Sequence, residues 1–439
     1  MALPPLWSWA ALVGSRTLAL YGDGAIAHAG ALIARGADPY GQPAPGTFVA
    51  AIYPPVAYLA VAAGEGLGPF VGLRIAALAA TIATAVMIAT RARPAPLSAL
   101  ALGMAYLATY PVQLWAGVHR PDDLAVLFTS ASVIAAGPTW RRAAPAGLLA
   151  GLAIFTKQTA LLPLAFVQIY LIVRERRVVG ARFALATGAA LLVLFGAWAL
   201  FFDPLGLLVH VIRWNVLPYS VPAALAFAVI AVVTLGPAAI VALRTASGRM
   251  RAYVIGAIAV VLLAGRDGSS INFLLDLSAA SFVALASAPS PRGPRVPLVL
   301  SAQIVFVFAV VTFGPFHPEG LAPVQMSASV SAALSAPGHY LTEDAGTLVV
   351  RGIEPDVDDV FIWSHLVASG VIADAITQRV CAGDFAGVVS SVPLDELDRW
   401  PVQRERWLPA LARAVVARYR LAEGLPGAYR YVPAMGGSC

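Results

Sequence analysis

The stretch FALATGAALLVLFGAWALFF, residues 183–202, contains twenty residues without one charged side chain. A segment of about 20 mainly apolar residues is long enough to cross the hydrocarbon core of a membrane as a helix. Similar runs recur until about residue 314, and 59% of the 439 residues are hydrophobic while only 12% are charged. A soluble domain carries roughly a quarter charged residues. The sequence therefore predicts an α-helical, polytopic membrane protein.

Apolar runs of suitable length predict about eleven membrane spans. They cover residues 4–21, 70–90, 95–111, 121–137, 144–156, 158–173, 180–202, 221–243, 250–265, 270–288 and 296–314. The first run lacks a basic leader and a cleavage motif, so we interpret it as a retained span and not as a signal peptide. Residues 1–314 are thus expected to form a transmembrane domain that contains a long loop, residues 22–69.

The remainder, residues 315–439, carries fourteen acids and nine arginines and is predicted to form a small soluble α/β domain. Its strand-like runs are Thr347–Arg351, Phe385–Ser390 and Tyr429–Val432, and helices are expected near 359–369 and 405–418. In the loop 22–69, Ala25–Arg35 is predicted to form a short helix along the membrane interface. A second, partly buried helix is expected at 54–64.

Basic residues predict the orientation of the spans. If the N-terminus is cytoplasmic, the inner loops contain thirteen arginines and the outer connections before residue 315 contain six basic residues. Of the nine acids before residue 315, Glu175 alone falls inside and Asp276 lies within a span. The other seven lie at or near the outer boundary: Asp23, Asp38, Glu65, Asp122, Asp123, Asp203 and Asp267. We therefore expect a bacterial inner-membrane protein with a cytoplasmic N-terminus, an extracytoplasmic C-terminal domain and a functional site facing outward.

Charges at the membrane boundary are costly and often mark function. Asp23, directly after the first span, is a candidate general base that takes a proton from an acceptor hydroxyl. The alternative is that Asp23 is an ordinary helix N-cap. His119 and Arg120 precede Asp122 and Asp123, and Arg120 is a candidate phosphate ligand or a headgroup anchor.

Lys157 is the only lysine in the chain and lies at an outer junction between two spans. It either binds a phosphate as a point charge or extends its ammonium group towards the headgroups. Gly265–Asn272 is a polar loop that contains Arg266, and an ordinary turn is its alternative interpretation. No phosphate-binding, dinucleotide, zinc-protease or serine-hydrolase motif is found, and the basic residues are dispersed among loops, which argues against binding to nucleic acid.

Several segments together resemble the GT-C superfamily of polyprenyl-phosphate-sugar-dependent glycosyltransferases, in the bacterial branch of protein O-mannosyltransferases and aminoarabinose transferases. The resemblance is carried, in chain order, by Gly22-Asp23-Gly24, Asp38-Pro39-Tyr40, Tyr53-Pro54-Pro55, Arg120-Pro121-Asp122, Gly151-Leu152-Ala153, Thr156-Lys157-Gln158-Thr159, Gly268 and Asn272-Phe273. It continues weakly into Thr342–Gly346.

This resemblance implies an inverting transfer of a sugar from a polyprenyl phosphate to an acceptor on the outer face, with Asp23 as general base. Many relatives have Asp-Glu where Gly24 follows Asp23 here, so a second acid would be Asp38 or Asp122, or would be absent. Donor-phosphate ligands are expected to be Arg120, Lys157 and Arg266. Substrate-binding residues are expected to be Tyr40, Tyr53, His119 and Asn272.

No cofactor and no metal are predicted, although a divalent metal is not excluded. The expected partners are the lipid-linked donor, a glycan, lipid or protein acceptor, and membrane lipids. A transporter or lipid flippase is the main alternative function, and a scaffold that binds a partner through its tail is the third. Cys381 and Cys439 either form a disulfide or remain free thiols.

Overall fold

A computed structural model gives the architecture of the chain. It describes residues 3–15, 20–42, 44–92, 96–288, 331–334, 338–343, 345–425, 428–434 and 439. The predicted span 296–314 and the start of the predicted tail domain lie outside these residues.

Helices account for most of the described residues before 289. In chain order they are α1 Leu3–Gly14, α2 Asp23–Ala34, α3 Pro55–Ala63, α4 Val71–Arg91, α5 Pro96–Leu107, α6 Tyr110–Trp115, α7 Asp122–Ala135, α8 Trp140–Thr156, α9 Leu161–Tyr170, α10 Arg177–Ala199, α11 Pro204–Leu208, α12 Val221–Thr245, α13 Gly248–Leu262 and α14 Leu275–Ala286. Two π-helical segments, Leu171–Glu175 and Val209–Arg213, continue α9 and α11.

Four of the described helices are long and apolar enough to cross a membrane. They are α4, α10, α12 and α13, the last continued to Gly265. Their outward faces are themselves apolar: Leu192 of α10 is 75% exposed and Val232 of α12 is 69% exposed. Because such surfaces are stable only in contact with lipid or another apolar partner, the helical bundle belongs in a membrane.

Small residues allow neighbouring helices of the bundle to approach closely. A Cβ atom on Gly147 of α8 would lie 2.4 Å from the Ala186 side chain of α10, and one on Gly151 would lie 2.8 Å from Ala190. Close backbone approach of this kind replaces the hydrophobic driving force that is missing between helices in lipid.

The C-terminal region, residues 338–434, folds around a four-stranded sheet. Its helices are α15 Ala345–Val350, α16 Val360–Ala368, α17 Ala375–Ala382, α18 Pro401–Arg406 and α19 Pro409–Arg418, and its strands are β1 Tyr340–Thr342, β2 Gly387–Ser390, β3 Tyr419–Leu425 and β4 Ala428–Pro433. The strand order is β1-β2-β4-β3. The pair β1–β2 is parallel, and β2–β4 and β4–β3 are antiparallel.

One sequence prediction is wrong in detail. Thr347–Arg351 was predicted as a strand, but Ala345–Val350 is helix α15. Its β-branched residues favour a strand locally, yet Gly346 lets this segment pack as a helix against α2: a Cβ atom on Gly24 would lie 2.2 Å from the Gly346 backbone nitrogen. Helix α2, expected along the membrane interface, is buried over residues 23–30.

The C-terminal region packs directly on the loop 22–69. Phe48 forms a parallel bridge with Val357, and its ring stacks on Trp214 at a centroid distance of 5.2 Å. Asp358 accepts hydrogen bonds from the Ala50 backbone nitrogen at 2.8 Å and pairs with His28 Nδ1 at 2.9 Å. The two parts therefore share one hydrophobic core at this contact.

Cys381 and Cys439 form a disulfide that joins the last residue of the chain to α17. Of the two alternatives that the sequence left open, the structure contains the paired form.

Candidate active site

Asp23 and Arg120 form a buried ion pair at the start of α2. The Asp23 side chain is fully buried, and Arg120 Nη1 lies 2.6 Å from Asp23 Oδ1. The backbone nitrogen of Leu20 donates to Oδ2 at 3.2 Å. The residue at the N-cap is Gly22, with φ of 84°, so Asp23 is not the cap of its own helix. A carboxylate this deeply buried is destabilising unless it has such charged and hydrogen-bonding partners.

Arg74 of α4 approaches the same carboxylate from the membrane domain. Its Nη2 lies 3.7 Å from Asp23 Oδ2, and its Nη1 donates to the carbonyl oxygens of Leu12 and Ser15 at 3.0 and 2.7 Å. Sequence analysis counted Arg74 among the outer charges but did not select it as a site residue. The available signal was its place in an apolar helix, where ionisable residues are rare and usually functional.

A second buried ion pair joins Lys157 to Asp122. Asn272 Nδ2 donates to Asp122 Oδ1 at 2.8 Å, and Trp115 Nε1 lies 3.4 Å from Oδ2. The Lys157 ammonium also lies 4.8 Å from the centroid of the Phe273 ring, a favourable cation–π distance. Lys157 is therefore directed into the protein and not towards the headgroups.

A cavity of about 410 Å³ separates the ends of the membrane helices from the C-terminal region. We call it the main cavity. Its charged lining residues are Arg120, Arg266, Asp267, Asp359, Glu405 and Arg406, and its polar and aromatic lining residues include Tyr21, Tyr53, Trp115, Ser269, Ser270 and Asn272. The structure thus brings together four of the sequence-predicted residues here, namely Arg120, Arg266, Tyr53 and Asn272.

Arg266 lines the main cavity and is only partly hydrogen-bonded. Its Nη1 donates to the backbone and side-chain oxygens of Asn215 at 3.2 and 2.9 Å. Its Nε has no hydrogen-bond partner among the described residues. Burial lowers the pKa of Arg266 below its usual range.

Asp38 and Tyr40 brace the loop and do not line the main cavity. Asp38 accepts hydrogen bonds from the backbone nitrogens of Tyr40 at 2.9 Å and Asp203 at 2.6 Å. The Tyr40 hydroxyl donates to the Tyr53 carbonyl oxygen at 2.6 Å. Their contacts hold Tyr53 at the edge of the cavity.

His119 is a buried, neutral neighbour of the ion pair. Its Nδ1 lies 3.0 Å from the Phe70 carbonyl oxygen, which identifies this nitrogen as the donor. Burial, with the Arg74 guanidinium nearby, holds the pKa of His119 well below its usual range.

The C-terminal region contributes charged residues that sequence analysis missed. Tyr21 donates from its hydroxyl to Asp359 Oδ1 at 3.0 Å, and the Arg406 guanidinium lies 4.2 Å from the Tyr21 ring centroid. Arg406 is held in turn by Glu343 at 3.1 Å. Tyr21 and Asp359 are separated by 338 residues along the chain. No local sequence pattern therefore indicates that they form a pair.

Within the described ranges, no three His, Cys, Asp or Glu side chains are grouped so that they could hold a metal ion. Independence from metal remains a prediction.

Solved membrane proteins share this architecture over nearly the whole chain. The ArnT protein of Cupriavidus metallidurans bound to undecaprenyl phosphate matches with a TM-score of 0.65 and 15% identity, covering 99% of this chain and 97% of that one. Its apo state matches with a TM-score of 0.63 and 16% identity, covering 97% and 96%. The apo oligosaccharyltransferase of Archaeoglobus fulgidus matches with a TM-score of 0.56 and 10% identity, covering 96% and 71%.

No protein-family model matches the sequence, and no curated protein matches it significantly. The structural matches show that this chain shares the fold of the ArnT and archaeal oligosaccharyltransferase structures.

Proposed function

We propose that the protein is an inverting glycosyltransferase that moves a sugar from a polyprenyl-phosphate donor to an acceptor on the outer face of the membrane. The observation that carries the proposal is the main cavity, which lies where membrane helices end and is bordered by Arg120, itself held by buried Asp23. A lipid-linked substrate enters such a site from the membrane, with its chain in lipid and its phosphate at the helix ends.

Likeness of fold supports a lipid phosphate as the donor's leaving group. The ArnT structure that this chain resembles over 99% of its length is bound to undecaprenyl phosphate. The charge pattern of the main cavity agrees, because Arg120 and Arg266 both border it. Guanidinium groups bind phosphate oxygens through paired hydrogen bonds and stabilise the charge that develops on the leaving group.

Asp23 is assigned the role of general base, although its carboxylate is buried behind Arg120. When a donor phosphate arrives, Arg120 exchanges part of its contact with Asp23 for the phosphate oxygens. The carboxylate then takes the proton of the acceptor hydroxyl. That oxygen forms a bond to the anomeric carbon, the bond from carbon to phosphate oxygen breaks with inversion, and the polyprenyl phosphate leaves with the electron pair.

Lys157 is assigned a supporting role in the donor-phosphate site. It does not line the main cavity and lies behind the residues that do. It compensates Asp122, and Asp122 accepts from Asn272, which does line the cavity. Lys157 therefore supports the donor-phosphate site with its positive charge and through Asn272.

Two observations support an outward-facing site. The arginine distribution predicts that the connections containing Asp23, Arg120 and Arg266 are outside the cytoplasm. The disulfide between Cys381 and Cys439 is of a kind that persists in oxidising, extracytoplasmic compartments.

The test is transfer by the purified, lipid-reconstituted protein. Undecaprenyl phosphate carrying one of several radiolabelled hexoses or pentoses is supplied together with the glycans, lipids and proteins of a host membrane extract. We expect one donor to release free undecaprenyl phosphate in step with labelling of an acceptor. If no donor's glycosidic bond is cleaved while labelled lipid moves between leaflets, the protein is a flippase and the proposal fails.

A further inference from the structure

Asp359 is an acid of the main cavity that belongs to the C-terminal region. It precedes α16, and its Oδ1 accepts hydrogen bonds from the Ile362 backbone nitrogen at 3.1 Å and from the Tyr21 hydroxyl at 3.0 Å. The Tyr21 hydroxyl in turn accepts from the Phe361 backbone nitrogen at 3.0 Å. One oxygen of Asp359 is thus fixed by both halves of the protein.

The other oxygen of Asp359 lies near Gly22, on the same side as the Arg120 guanidinium. A Cβ atom built on Gly22 would lie 3.8 Å from Asp359 Oδ2 and 3.3 Å from Arg120 Nη2. Asp359 lines the main cavity, whereas the fully buried Asp23 does not. Side chains cannot be added at Gly24, because the Gly346 backbone occupies that space. The carboxylate that the cavity presents beside Arg120 therefore comes from the C-terminal region.

We infer that Asp359 binds the acceptor: its Oδ2 accepts a hydrogen bond from a hydroxyl group of the acceptor next to the attacking one, and so directs the attacking oxygen towards the donor's anomeric carbon. This inference rests on the proposed function and adds a residue to its acceptor side. The proton of the attacking hydroxyl passes to Asp23, and the neighbouring hydroxyl keeps its own proton, so Asp359 ends the reaction with its charge unchanged.

Charge supports a role with the acceptor and opposes one with the donor phosphate. A carboxylate repels a phosphate, so Asp359 would weaken donor binding if it faced the phosphate directly, whereas a hydroxyl group is a good donor to it. Arg406, stacked on Tyr21 and held by Glu343, keeps Tyr21 in place and so fixes Asp359 before any substrate binds. Pre-organisation of this kind reduces the entropic cost of orienting the acceptor.

Asp359→Asn tests the inference without destroying the helix cap, since asparagine caps helices as well as aspartate. The matched control is Asp374→Asn. Asp374 caps α17 in the same region by accepting from the Thr377 backbone nitrogen at 3.0 Å, and it does not line the main cavity. Two quantities are measured on each protein: transfer from the donor that the wild-type protein consumes, and the Kd for undecaprenyl phosphate alone.

We expect Asp359→Asn to lower the rate of transfer about ten- to hundredfold, because it loses one hydrogen bond to a charged group. The KM for the acceptor, measured as a dependence on the amount of membrane extract, should rise. Its Kd for undecaprenyl phosphate should stay within about twofold of the wild-type value or become lower, as removing a neighbouring negative charge predicts. The Asp374→Asn variant should match the wild type in both. Tyr21→Phe, which frees Oδ1 but retains the charge, should give a smaller loss of transfer than Asp359→Asn.

Normal transfer by Asp359→Asn would overturn the inference, leaving a helix cap. A loss of undecaprenyl phosphate binding together with transfer would also overturn it, because the residue would then belong to the donor side or to folding. If Asp359→Asn does not fold, Tyr21→Phe decides, and normal transfer by that variant counts against the inference. Failure of the proposed function is distinct, since the wild-type protein itself would then transfer no sugar.

Discussion

Arg120 Nη1 lies 2.6 Å from Asp23 Oδ1 at a site where the aspartate is fully buried. Removing one partner of a buried ion pair leaves an uncompensated charge, which costs about 3–5 kcal/mol, so each member affects both the stability and the charge of the site. The proposed base and the proposed phosphate ligand are therefore one unit, and their variants must be interpreted together.

Asp23→Asn should abolish transfer while binding of undecaprenyl phosphate survives. Asparagine retains the shape and can accept a hydrogen bond from Arg120, but it cannot take a proton from the acceptor. The measurement is turnover and the Kd for undecaprenyl phosphate on folded, monodisperse protein. A variant that keeps more than a small fraction of wild-type turnover would assign Asp23 to holding Arg120 and not to proton transfer.

Arg120→Ala should lower kcat by roughly 10²–10³, the usual effect of removing one donor from a site that stabilises developing negative charge. Lys157→Ala should lower kcat less, because Lys157 acts on the site through Asp122 and Asn272. Lys157→Arg should recover part of the rate, because the charge persists while its geometry changes. Adding Asp122→Asn to Lys157→Ala should restore thermal stability but not the rate, since it removes the unpaired carboxylate alone. Arg413→Ala, at an exposed position of α19, is the control. Normal kcat in both alanine variants would contradict the proposed roles of Arg120 and Lys157 at the donor-phosphate site.

Gly24→Ala should loosen the contact between α2 and the C-terminal region. The added Cβ would lie 2.2 Å from the Gly346 backbone nitrogen, where neither helix can yield without moving. Overpacking of this kind costs typically about 1–3 kcal/mol, and the Tm should fall accordingly. Gly66→Ala is the matched control, because a Cβ there meets nothing within 4 Å. Equal melting temperatures for the two variants would contradict the packing argument.

The C-terminal region should be accessible only from outside the cytoplasm. In intact cells, we expect no maleimide labelling of Cys381 or Cys439 until a reductant is added, because the two cysteines are paired. A phosphatase-type reporter fused to the C-terminus should be active, and one inserted between Arg174 and Arg182 should be inactive. The reverse reporter pattern would place the site on the cytoplasmic face.

Transfer should decline as the pH falls through about 6. Burial, together with the charge of neighbouring Asp358, raises the pKa of Asp359 to about 6, although the hydrogen bonds from Ile362 and Tyr21 and the charge of Arg120 oppose the shift. Glu405 and Arg406 are the other charged groups of the C-terminal region that line the same cavity. Below pH 6 Asp359 becomes protonated and loses its negative charge, so it accepts the hydrogen bond from the acceptor hydroxyl poorly. The profile of kcat/KM against pH measures this, and the acidic limb should be absent in Asp359→Asn.

Helix positions were predictable because the signal for them is local. The predicted spans 70–90 and 221–243 correspond to Val71–Arg91 and Val221–Thr245, since hydrocarbon thickness requires an uninterrupted apolar run that a reader of the sequence can measure directly. The total of about eleven spans is still a prediction. In the tail, the helix near 359–369 was predicted, but strands β1 and β3 were not, because short strands depend on partners elsewhere in the chain.

By itself, the sequence indicated the membrane class, a resemblance to the GT-C superfamily and the charged residues that are costly at a membrane boundary. Only the tertiary structure decided which of these charges meet: Arg120 pairs with Asp23, while Asp122 pairs with Lys157. It also placed Asp359 beside Tyr21, 338 residues away in the chain. The physical reason is that hydropathy is a property of neighbouring residues, whereas a site is formed by buried charges that must find partners elsewhere in the fold. The positions of two charges in the sequence do not indicate whether they will lie close together in space.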